Sequence, residues 1–248
     1  MKKFSILLVA IIIANVAYAF TFSKEALHYK VTYKWGLIDK QAGTAVLAIT
    51  PNANGYATKL TARSDPWADR IYRLRDTLIG SMDSELRPSI YTKIAHEKGK
   101  YSKDIVKFIR SGNNVKGKCL RFRVRKGVAS LDSITLNASG TTIDMLTAFY
   151  YMRSLNYALM KPGQSIDLNI FSGKKCERLH INYRDRETIE IADKKISTYH
   201  ITFTFTMGNK KKTSDDMDAW ISMDSRHIPL KLEGKLPVGK IRCIYTGG

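Results

Sequence analysis

The chain lacks the short signatures by which many catalytic sites can be recognised. It contains no G-x-S-x-G elbow, no H-E-x-x-H pair, no P-loop and no Gly-rich dinucleotide fingerprint. Its five histidines (His28, His96, His180, His200, His227) are scattered with no ligand spacing. Cysteine is scarce, and Cys119, Cys176 and Cys243 form no C-x-x-C or related metal pattern. No metal and no cofactor is therefore expected, and no residue stands out as a nucleophile. RNA-binding motifs are absent too, so nucleic acid is not an expected partner. No repeat of 20–50 residues and no low-complexity tract occurs. Beyond the first twenty residues, no apolar run is long enough to span a bilayer, which takes about 20 residues.

Acidic residues are also few. There are 22 against 41 basic ones, for a formal net charge of +19. Such a surplus bears on partners and solubility rather than on fold. It suits anionic lipid headgroups, lipopolysaccharide phosphates or acidic glycans, and it equally suits a plain solvated surface.

The N-terminus supplies an address. Lys2 and Lys3 precede the apolar stretch Phe4–Val16, and Ala17-Tyr18-Ala19 is a small-x-small cleavage site. Residues 1–19 thus read as a secretory signal peptide, with Phe20 the expected mature start. No cysteine follows the site, which argues against a lipoprotein. An exported protein is expected, soluble after cleavage near Ala19 and periplasmic in a Gram-negative source. Residues 20–248 are expected to form one β-rich domain, since β domains run to about 250 residues. In an oxidising compartment a Cys119–Cys176 disulfide is allowed, because strand parity puts both on polar faces; three unpaired cysteines is the alternative.

Most of the chain alternates as strand. Tyr29, Val31, Tyr33 and Trp35 face one way, and His28, Lys30, Thr32 and Lys34 the other. Similar segments follow, separated by Gly, Asn and Pro turns such as Ser111-Gly112-Asn113-Asn114. About a dozen strands result, with a helical turn near Asp65–Asp69. One stretch differs. Thr142–Leu159 has apolar residues at helical spacing, Asp144 as N-cap and Pro162-Gly163 as a stop. The expected fold is mainly β, a strongly curved antiparallel sheet or open β-barrel wrapped around this one central helix. A cleft between helix and wall would suit an apolar ligand.

Trp35, Phe149, Tyr150, Arg153 and Tyr157 are the candidate lining of such a cleft. Arg153 would anchor a ligand headgroup, or lock helix to sheet through a carboxylate such as Asp76, Asp83 or Glu97. In Cys119–Lys126, Leu120, Phe122 and Val124 are expected to point inward. Arg121, Arg123 and Arg125 would then form an outward guanidinium row that contacts an anionic surface or simply stays solvated.

The order of motifs resembles a bacterial exported family of unknown function, domain-of-unknown-function family 3108. Trp35-Gly36-Leu37-Ile38 with Ala42-Gly43-Thr44 carries the likeness, followed by Arg75-Asp76, Asp83 and Leu86-Arg87-Pro88. The stretch Asp144–Arg153 carries it further, with Ala219–Asp224, Arg226–Pro229 and Gly239-Lys240-Ile241. Met145 stands where a proline is common in that family, and Thr147 where a serine is. The resemblance implies an extended β structure packed on a helix, similar to periplasmic lipoprotein carriers, with no assigned activity and no catalytic residues. Three functions stay open: a periplasmic carrier of a lipid, lipid-linked glycan or other amphipathic ligand; a structural or interaction module with a filled core and a sheet edge or basic face that docks an envelope partner; and, last, an envelope hydrolase.

Overall fold

The computed structural model describes residues 20–97, 100–207, 211–212, 216–236 and 238–248. The expected signal peptide, residues 1–19, lies outside them. The protein is mainly β, and its strands form a single barrel-like sheet that nearly closes.

The first eight strands make a meander: β1 (Glu25–Trp35), β2 (Ile38–Asn52), β3 (Gly55–Ser64), β4 (Leu74–Met82), β5 (Pro88–Glu97), β6 (Lys100–Ser111), β7 (Asn114–Arg125) and β8 (Val128–Ser139). A short helix, α1 (Pro66–Tyr72), interrupts it and starts on Pro66, whose fixed φ suits a first helical turn. The second half comprises β9 (Thr142–Asp144), α2 (Met145–Ser154), β10 (Ser165–Phe171), β11 (Cys176–Ile191), β12 (Lys194–Met207), β13 (Lys211–Lys212), β14 (Met217–Ser222), β15 (Pro229–Lys235) and β16 (Lys240–Gly247). Strand order is β8-β7-β6-β5-β4-β3-β2-β1-β16-β15-β14-β12-β11-β10-β9, with β13 pairing on β12. All pairs are antiparallel except β9 with β10.

Covalent continuity forces the curl. β8 and β9 lie at opposite ends of this path, yet only Gly140 and Thr141 separate them in the chain. Three peptide links reach at most about 11 Å, so the two ends of the sheet must meet. Among the described residues no backbone ladder joins them there; side chains do. Asn169 Nδ2 donates to the Ser139 carbonyl at 2.8 Å, and Arg110 Nη2 donates to the Thr142 carbonyl at 3.3 Å. Phe108 stacks on Phe171 at 5.4 Å between centroids.

The helix expected over Thr142–Leu159 is three elements instead of one. Thr142–Asp144 pairs as a strand, the helix proper is ten residues, and Tyr157–Leu159 makes a single 3-10 turn. Leu155 takes an extended backbone and ends α2. Among the described residues no long central helix exists, and none is long and apolar enough to cross a membrane. α2 still joins the two halves of the core. Leu146 and Tyr150 pack with Leu27, Leu47, Met82 and Tyr91, while Ala148 and Met152 pack with Leu168, Leu179, Ile201 and Ile221.

Candidate functional site

Asp144 fixes the start of α2. Its carboxylate accepts from Leu146 N and Thr147 N at 2.8 Å and from Thr147 Oγ1 at 2.9 Å. Burial pushes this carboxyl up to about 6 against the pull of those bonds. The cap places Met145 facing the interior between two cavities, and Met145 and Phe205 line both.

The larger cavity measures about 540 Å³ and sits at the seam where the sheet's ends approach. On the β5–β7 side it is lined by Tyr91, Lys93, Asp104, Arg121 and Arg123, and on the β10–β11 side by Ser172, Lys174, Lys175 and Glu177. With Asp76 this makes five cations and three carboxylates, a positive surplus in a partly enclosed space. Asp104 takes Arg123 Nη2 at 2.6 Å and lies 3.5 Å from Arg121 Nε. Glu177 is held by the Ser172 hydroxyl. Two donors on the wall find no hydrogen-bond acceptor among the described residues, the buried Tyr91 hydroxyl and Arg121 Nε. Burial raises the Tyr91 hydroxyl's pKa, with the nearby Asp144, Asp104 and Asp76 adding to it, so it stays protonated and able to donate. The smaller cavity, about 200 Å³, is almost wholly apolar and lies beside Phe149, Met152, Leu179, Phe203 and Leu232.

The expected site residues separate. Phe149 lines the apolar cavity. Tyr150 is fully buried and donates to the Ala48 carbonyl at 2.8 Å. Tyr157 is packed among aromatics, its ring 5.1 Å from Tyr199 and 5.7 Å from His227. Trp35 is exposed at the end of β1 and lines neither cavity. Arg153 reaches Glu25 Oε1 at 2.5 Å, and its remaining donors go to the Arg226 and His227 carbonyls. Its partner is thus Glu25 rather than Asp76, Asp83 or Glu97, and the charge is compensated without a ligand.

The guanidinium row is reversed. Val115, Gly117 and Cys119 are the buried positions of β7, so Arg121 and Arg123 continue the inner face and Leu120, Phe122 and Val124 the outer one. Cys119 is accordingly buried in the core rather than on a polar face, and all three cysteines are free. Arg125 is exposed at the strand's end.

A family model described as a protein of unknown function (DUF3108) matches residues 28–244. The chain belongs to that family. This DUF3108 protein is also similar in fold to a crystal structure described as a β-barrel-like protein of domain of unknown function DUF1849 from Brucella abortus. That likeness has a TM-score of 0.61 at 11% identity and covers 92% of this chain and 98% of the other. No curated protein sequence matches the DUF3108 chain.

Alternation around Leu120–Val124 pointed the wrong way because the interior at this end is a polar hollow, not core. Tyr91, Lys93, Met145, Lys174, Lys175 and Phe205 escaped notice as a group because the topology alone assembles them. The one trace in sequence was Met145, a departure from the family's pattern.

Proposed function

We propose that this protein is an exported, non-catalytic carrier of an anionic amphiphile, such as a lipid or a lipid-linked glycan. The headgroup would occupy the cationic seam cavity, and an apolar chain would pass Met145 into the pouch beside Phe149. The observation that carries this reading is the junction itself: a cation-lined cavity of about 540 Å³ and an apolar one of about 200 Å³ share Met145 and Phe205 as a common wall. A ligand site of this kind combines apolar burial with a few placed polar groups, here Arg121 Nε and the Tyr91 hydroxyl. The Lys2–Lys3, Phe4–Val16 and Ala17-Tyr18-Ala19 segments support export, and the positive surplus suits an anionic cargo. The pairing of Arg153 and the packing of Tyr157 favour the second reading, an envelope interaction module, only for the far end of α2.

Native mass spectrometry of protein purified from its own periplasm, with lipid extraction, tests the carrier. A retained amphiphile is expected. Lys174→Glu, at an exposed position on the cavity wall, is expected to weaken binding of a fluorescent fatty acid about fivefold and to spare a neutral analogue. Recovery of no ligand, together with no saturable fatty-acid binding under conditions that keep lipid on a known carrier, would overturn the reading.

A further inference from the structure

At the barrel end formed by the β1–β2 and β15–β16 turns, the surface is apolar. Leu37, at 106% relative exposure, is as open as a leucine can be, and Trp35 (55%), Val238 (51%), Ile38 (44%) and Leu236 (40%) surround it. The two turns abut: the Tyr33 hydroxyl donates to the Val238 carbonyl at 3.0 Å. Gly36 carries a φ of +54°, as a Gly-first two-residue hairpin needs, so the turn holds Trp35 and Ile38 in register across from each other.

Just behind this tip stands a row of charge. Lys34 pairs in register with Lys240, and Lys240 with Lys235, which sets three exposed lysines abreast on adjacent strands β1, β16 and β15. Like charges directly opposite each other destabilise a sheet. The arrangement is only partly neutralised within the chain: Glu233 takes Lys240 at 2.8 Å and Arg242 at 3.1 Å, while Asp39 lies 3.2 Å from Arg242. Lys34, Lys235, Lys240 and Arg242 thus make four cations against these two carboxylates. Apolar side chains at the tip, a tryptophan among them, and a lysine rank one residue behind match the depth profile of a lipid interface.

We propose that this end of the barrel docks on an anionic lipid bilayer, with Trp35, Leu37, Ile38, Leu236 and Val238 entering the headgroup layer and Lys34, Lys235 and Lys240 meeting lipid phosphates. The inference does not depend on the carrier reading, because it involves neither cavity. It also moves the membrane contact from the β7 arginines, two of which face inward, to the opposite flank of β1.

Co-sedimentation of the purified protein with phosphatidylglycerol-containing and pure phosphatidylcholine vesicles tests it. Binding to the anionic vesicles only is expected, with a blue shift of tryptophan emission that Trp35→Phe abolishes. Leu37→Asp, at a position without packing contacts to lose, is expected to weaken binding about tenfold or more. Neutralising Lys34, Lys235 and Lys240 to Gln should cost about fivefold per lysine, whereas Lys116→Gln with Lys118→Gln, on the exposed face of β7, should change little. Equal loss from the β7 pair, equal binding to both vesicles, or full binding by Leu37→Asp would each overturn the proposal. So would a concentration-dependent dimer that Leu37→Asp dissolves, which would assign the tip to a second copy of the chain.

Discussion

Asp144 carries a charge where charge is costly. The residue is fully buried, and burial raises its carboxyl to about 6 from an ordinary 3.8. The folded protein therefore holds a proton there that the unfolded chain has released across roughly pH 4 to 6. Stability contributed by this group is present below that window and lost as pH rises through it, by about 3 kcal/mol for a displacement of this size. Asp144→Asn keeps the acceptor for Leu146 N and Thr147 N and removes the titration. Denaturant unfolding of both proteins between pH 4 and 7 should show the wild type gaining on the variant as pH falls. A constant difference across that range would count against this account. Arg153 makes the complementary case at the same scale. Its guanidinium is almost completely enclosed, with Glu25 and two carbonyls around it and the rings of Phe22 and Tyr150 at 5.0 and 5.9 Å.

Among the elements, β7 shows how closely opposing parts of the sheet approach. A Cβ on Gly117 would sit 2.6 Å from Cδ2 and 2.8 Å from Cε2 of Phe171, a fully buried ring on β10. Gly117→Ala is expected to destabilise by about 1–3 kcal/mol, read as a lowered urea midpoint at unchanged slope. No loss would mean that the ring has room to retreat. The strands with clean alternation and Gly/Asn turns, β1, β5 and β6 among them, were legible in the chain because each local rule agreed with the next. β8 was not, since Val128–Ser139 is mostly small and polar, buries only Leu136 and leaves Val128 and Leu131 in water. β11 runs unbroken from Cys176 to Ile191, because its solvated stretch Arg184–Thr188 continues the ladder beside β12 through a register shift. α2 was placed by its N-cap, but its end was set too far on: Leu155 leaves the helix well before Pro162 could stop it. The candidate site was the least legible part. Its walls come from β3 to β7 and from the β10–β11 turn, which meet only when the sheet curls, and Glu25 finds Arg153 128 residues along the chain.

For the whole molecule, the decisive contact is β1 with β16. It lies in the middle of the strand path and pairs His28 with Gly247 and Lys34 with Lys240. Each flanking half, β1–β8 and β9–β16, is mostly a meander of neighbours, so nearly all other pairing is local. A variant lacking Lys240–Gly247 uncovers the edges of β1 and β15, and such edges recruit other strands. It is expected to sediment as oligomers or aggregate; a monomer with a single cooperative unfolding transition would contradict this. The same suture has a consequence for how the fold is reached. An emerging chain can lay down its first meander early, but that half keeps a raw flank until a segment some two hundred residues later arrives to cover it. Joining partners so distant makes folding slow and leaves the incomplete form sticky. Until β16 zips the halves together, the open flank of β1 is the place where a wrong strand can add.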